Sequence, residues 1–107
     1  KMNFDNVSSL GENDTYVVDL SGYGNNGSVT SALWNSSGKY GGGFSFDGIT
    51  QYITLDNKRF RNFTKNLSAL SIMSWVFPVE NPASAGIYWI KQTGSTDGFF
   101  FFSCRTL

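Results

Sequence analysis

Apolar residues in this chain come in short runs divided by turn formers, and no long segment repeats them at the i, i+3, i+4, i+7 spacing of an amphipathic helix. The runs predict strands over Met2–Asp5, Tyr16–Leu20 (with the adjacent pair Val17 and Val18) and, more weakly, Ser28–Leu33. Between the last two, Ser21 to Gly27 is nearly all turn formers. Gly38 to Gly43 is glycine-dense, with Lys39 and Tyr40 inside it. Phe44 and Phe46 flank Ser45 and give one aromatic face. Asp47-Gly48 is a turn signal, and Tyr52–Leu55 resumes, so these pieces predict a hairpin. A polar, basic loop follows. Leu70–Phe77 is then apolar on both faces, the pattern of a strand covered on both sides, and Pro78 and Pro82 stop it. Ile87–Lys91 and Phe99–Cys104 are the last strands. About eight short strands without a helix predict an all-β, antiparallel sandwich or jelly roll.

Composition sharpens this reading. The 107 residues allow one domain with a small core. Aromatics make up 17%, beside 12 Gly, the mixture of residues that favour strands and turns. Formal net charge is zero, which argues against nucleic acid as the main partner, because phosphate binding needs a basic surplus. Lys58, Arg59, Arg61 and Lys65 form a local basic stretch, read either as a solvated loop or as a contact for an anionic glycan. Cys104 is the one cysteine and excludes an internal disulfide. No apolar run is long enough to span a bilayer, and no signal peptide is visible at the opening, so a mature or excised start is the expectation.

The Asn-x-Ser/Thr pattern bears on compartment. It begins at Asn6, Asn13, Asn26, Asn35, Asn62 and Asn66, six of the ten Asn residues. With this Ser and Thr content chance gives about two. Either the chain meets a glycosylation machinery or Asn, Ser and Thr crowd together in β-turns.

Two motifs mislead. Gly22-Tyr-Gly24-Asn-Asn-Gly27 matches G-x-G-x-x-G, and Asp47 stands about twenty residues on, where a dinucleotide fold puts its ribose-binding acid. No helical face follows to receive a pyrophosphate, so the match lacks its context. Asp19-x-Ser21 resembles the start of an EF-hand loop, but Thr30 stands where the bidentate Glu belongs. Catalysis has little to work with. There is no His for a triad or a zinc site, and the two Glu, Glu12 and Glu80, sit in turn-like segments. The residues therefore predict no enzyme.

Three pieces in order carry a resemblance. They are Asp19-Leu-Ser-Gly-Tyr-Gly-Asn-Asn-Gly27, then Gly38-Lys-Tyr-Gly-Gly-Gly-Phe-Ser-Phe-Asp-Gly48 leading into Gln51–Leu55, and Leu70-Ser-Ile-Met-Ser-Trp-Val-Phe-Pro78. Together with Met2–Asp5 as an opening strand, the set resembles the laminin-G-like, concanavalin A-like jelly-roll family over residues 2 to about 92. The resemblance implies a single domain over 1–107 that stops short of the family's closing strands and its late acidic residue. It also implies a structural Ca²⁺ near the first loop, with Asp19 as the foremost ligand, backbone oxygens near Gly24 and Asn26 beside it, and Asp47 less directly. The residues themselves also allow a metal-free turn tied by Asp and Asn side chains.

The function expected is a non-catalytic binding or adhesion module of a secreted or cell-surface protein. Its ligand would be a carbohydrate or another surface protein, and Tyr23, Trp34, Tyr40 and Trp89 are the candidate stacking aromatics. Two alternatives stand beside it. One is a structural subunit of an extracellular assembly, completed by strands from a neighbouring chain that cover Phe99–Phe102. The other is a fragment of a larger glycan-active enzyme.

Overall fold

A computed structural model describes residues 1–55, 68–69 and 71–78, together with the backbone of strands at 85–91 and 98–104. The described residues are antiparallel β with almost no helix, and the chain falls into two units, Lys1–Ile72 and Met73–Leu107. Among the described residues no helix is long and apolar enough to cross a membrane.

The first unit opens with a single 3₁₀ turn at Ser8–Leu10 and continues through β1 (Tyr16–Val17), β2 (Gly27–Thr30), β3 (Leu33–Gly38), β4 (Gly41–Ser45) and β5 (Tyr52–Thr54). β2 is the middle strand of a three-stranded sheet. Val17 pairs with Gly27 on one side and Ile53 with Val29 on the other. β3 and β4 form a separate hairpin, with Trp34 opposite Phe44 and a register shift between Asn35 and Gly38. The core gathers side chains from both sheets. Val17, 1% exposed, Val29 and Ala32 are buried, and Met2, Phe4, Phe44 and Ile53 pack on them. Burying a side chain such as Val17 stabilises by about 1.5–3 kcal/mol, so a core this small leans on its polar contacts as well.

The second unit is described as one antiparallel hairpin, β6 (Ala85–Lys91) with β7 (Gly98–Cys104). It pairs Tyr88 with Phe101 and Trp89 with Phe100.

Four local expectations are corrected. Met2–Asp5 is not a strand. Phe4 and Asn6 take positive φ (61° and 56°), a left-handed backbone that cannot continue a pleat. Instead the segment is clipped across the β3–β4 hairpin. The Trp34 indole Nε1 donates to the Phe4 carbonyl at 3.0 Å, the Gly42 amide donates to Asp5 Oδ1 at 2.8 Å, and the Phe4 and Phe44 rings meet edge to face at 6.2 Å.

The hairpin expected across Asp47-Gly48 does not form. β4 turns back on β3 around Lys39 and Tyr40, and β5 pairs with β2. The glycines of β4, part of the glycine-dense stretch, serve a close approach. A Cβ on Gly42 would lie 2.6 Å from Trp34 Nε1, so only glycine lets the indole lie across the strand. Ser28–Leu33 is broken at Ser31, whose φ is 55°, so the chain passes from β2 to β3 there. Finally, 71–78 is not a strand, and its side chains are exposed: Met73 is 97% and Phe77 87% exposed, with Ile72, Trp75 and Val76 also open. A run apolar on both faces needs neighbours on both faces. The core residues among the described positions all come from residues 2–53. The four-Phe run lies on β7, and its side chains lie outside the described residues.

The clip yields a test. Gly42→Ala should lower stability by about 1–3 kcal/mol, the cost of forcing a methyl group into a packed contact. Urea unfolding followed by tryptophan fluorescence reads this directly, and an unchanged midpoint would show that the indole is not held against β4.

Candidate functional site

The Asp19–Gly27 segment is built around one buried carboxylate. Ser21 donates both its amide (3.0 Å) and its hydroxyl (2.6 Å) to Asp19 Oδ1, and the Lys1 α-ammonium donates to the same oxygen at 3.0 Å. The Asn25 amide donates to Oδ2 at 3.1 Å. Such a loop closes only if the chain turns sharply, and Gly22 and Gly24 supply the left-handed backbone it needs (φ 81° and 70°). Asn26 ties the far end. Its Oδ1 accepts the Asp19 amide at 2.8 Å, and its Nδ2 donates to the Tyr16 hydroxyl at 2.7 Å. Tyr23 stands at the loop's crest, 72% exposed.

Electrostatics follow from this donor set. The Ser21 hydroxyl foremost, then the Ser21 amide, the α-ammonium and the Asn25 amide, hold the Asp19 carboxyl well below its ordinary range, and burial only partly opposes them. Asp47 behaves alike on a different turn. The amides of Ile49, Thr50 and Gln51 and the Thr50 hydroxyl all donate to it within 3.0 Å, the Ile49 amide weighing most, and they hold its carboxyl low too.

Asp19, Asn26 and the Gly24 turn thus come together in one loop, while the donors on Asp47 all come from its own turn. For a cation the loop offers two oxygens beyond those already engaged: the side of Asp19 Oδ2 away from Asn25, and Asn25 Oδ1, which is buried and has no hydrogen-bond partner among the described residues. Calcium takes about six to eight oxygens, so backbone carbonyls and water would have to supply most of the shell. No group of three or more His, Cys, Asp or Glu that could hold a metal occurs among the described residues.

The candidate aromatics divide. Tyr40, 73% exposed, caps the β3–β4 turn with the Lys39 ammonium 5.9 Å from its ring centre. Trp34 is half-buried and commits its Nε1 to the Phe4 carbonyl. Trp89 lies on β6, with its side chain outside the described residues, as do Asn62 and Asn66. Sequence reasoning gave no role to Glu12, which is buried. Its two carboxylate oxygens accept the Val7 and Val18 amides at 3.0 and 3.3 Å, joining the opening loop to the end of β1. A lone Glu next to glycine in a turn-like stretch carries no signal of that burial. Comparison of the chain with protein-family models, with curated proteins and with solved structures finds no match in any of the three.

Asp19 predicts a pH dependence. Its folded-state pKa is depressed, so its stabilisation is fully present above the unfolded value near 3.8 and is lost as pH falls through the lower folded one. The urea midpoint of the wild type should fall on acidification below pH about 4, and that of Asp19→Asn should fall less steeply over the same window. Parallel profiles would mean that the loop does not prefer the charged carboxylate.

Proposed function

We propose that the chain is a non-catalytic binding or adhesion module of a secreted or cell-surface protein, built as a concanavalin A-like β-sandwich, with a carbohydrate as its ligand. The observation that carries this reading is Tyr23: an open aromatic ring on a loop held from beneath by the buried Asp19 carboxylate. A sugar stacks on an aromatic face, and affinity rises when that face is ordered before binding. Tyr40 supplies a second exposed ring on a tight turn, with the Lys39 ammonium 5.9 Å from its centre. Support for the sandwich comes from the core, to which both sheets of the first unit contribute. Calcium belongs to the same reading as a ligand of Asp19 Oδ2 and Asn25 Oδ1, completed by backbone oxygens near Gly24 and Asn26 and by water.

A glycan array probed with and without calcium tests this. Wild type should bind a defined glycan set, and Tyr23→Ala should lose about tenfold or more in affinity, as expected when a stacking contact of ~1.4 kcal/mol is removed. Binding unaltered in both Tyr23→Ala and Tyr40→Ala would overturn the stacking role, and no binding by the wild type would overturn the carbohydrate ligand.

The exposed run from Ile72 to Phe77 favours a second reading, a subunit of an extracellular assembly in which a neighbouring chain supplies the cover. An exposed apolar run is an association site when a partner strand is at hand. Sedimentation should then show an oligomer that Trp75→Ser or Phe77→Ser shifts toward monomer, and a wild type that sediments as a monomer at all concentrations would exclude it.

A further inference from the structure

The six glycosylation signals are alike as sequence, but the four within the described residues are not alike as structure. In Asn13-Asp-Thr15, the Asn13 Oδ1 accepts both the Thr15 amide (2.8 Å) and the Thr15 hydroxyl (2.7 Å). In Asn35-Ser-Ser37, the Asn35 Oδ1 accepts the Ser37 amide at 2.7 Å. Both residues are exposed, both use only the carbonyl oxygen of the side chain, and both leave Nδ2 without a hydrogen bond among the described residues. Asn26 and Asn6 are the reverse. Asn26 is half-buried, and its Nδ2 sits 2.7 Å from the Tyr16 hydroxyl while its Oδ1 holds the Asp19 amide. Asn6 is half-buried too and spends its Nδ2 on Asp14 at 2.8 Å.

We propose that Asn13 and Asn35 are the N-glycan acceptors of this region, and that Asn6 and Asn26 serve the fold and stay bare. The inference rests on the secreted or cell-surface reading above. The transferase brings an oligosaccharide linked to a lipid diphosphate. The new bond joins Asn Nδ2 to the sugar C1, the bond from C1 to the diphosphate oxygen breaks, the lipid diphosphate leaves, and the Nδ2 proton passes to a base of the transferase. A sugar on Nδ2 of Asn13 or Asn35 extends into solvent and keeps the side-chain bonds through Oδ1. On Asn26 it would stand against the Tyr16 hydroxyl and spread the strap that ties Asp19 to β1.

The test is site occupancy in the folded, secreted chain. The full chain is fused to a secretion signal, expressed in a eukaryotic host and purified from the medium, and its peptides are analysed by mass spectrometry after enzymatic release of the glycan in heavy-oxygen water. Occupancy at Asn13 and Asn35 is expected to exceed that at Asn6 and Asn26 by about tenfold or more, the factor that one forfeited hydrogen bond gives. Removing each acceptor by Asn13→Gln or Asn35→Gln should each remove one glycan from the intact mass. Comparable occupancy at Asn26, or bare Asn13 and Asn35, would overturn the assignment. The same release applied to protein from its native source separates the two readings. A bare native chain beside a host-made chain modified at Asn13 and Asn35 would show that the protein does not meet a glycosylation machinery in its source, overturning that part of the reading while the acceptor geometry stands.

Discussion

A carboxylate sunk beneath a loop is the interaction on which the first unit depends. β1 has two residues and β5 three, so strand pairing leaves many amides of the connecting segments without a ladder partner. Buried amides need acceptors. Four acidic side chains accept amides of the connecting segments: Asp5 takes the amide of Gly42, Glu12 those of Val7 and Val18, Asp19 those of Ser21 and Asn25, and Asp47 those of Ile49, Thr50 and Gln51. Hydrogen bonds to a charged acceptor are roughly twice as strong as neutral ones, which suits a unit whose apolar core is small.

Each of these bonds joins parts distant in sequence or turns the chain sharply. Asp5 reaches β4, Glu12 reaches the end of β1, and Asp19 closes its own loop. The loop at Asp19 is therefore ordered before any ligand arrives, and its order comes from below. Tyr23 itself remains 72% exposed on this ordered loop.

The parts of this design that rest on periodicity were legible in the sequence. The strands at 27–30, 52–54, 85–91 and 98–104 follow from β-branched and aromatic runs between turn formers, and the tight loop after Asp19 follows from its glycines. Pairing was less legible. Asp47-Gly48 has the chemistry of a hairpin turn, but the Asp47 side chain accepts the amides of Ile49, Thr50 and Gln51, and the chain leaves the turn to join β2. The glycines of β4 carry no strand signal because their reason for being there is the indole of Trp34, a neighbour across the hairpin that no local window contains. The site was half legible. Asp19 and Asn26 do meet, but the oxygens expected to face a cation chiefly face amides and hydroxyls of their own loop.

Asn26 is followed by glycine, the dipeptide most prone to spontaneous deamidation. In that reaction the deprotonated glycine nitrogen attacks the side-chain carbonyl carbon, the bond from that carbon to Nδ2 breaks, ammonia leaves, and a five-membered imide closes. Here Gly27 is buried in β2 opposite Val17, and both polar atoms of the Asn26 side chain are held, one by the Asp19 amide and one by the Tyr16 hydroxyl. Ring closure would have to release both bonds and pull Gly27 out of its strand. The strap that orders the loop therefore also protects it from chemical ageing, and the imide forms only on chains that have already opened at β2.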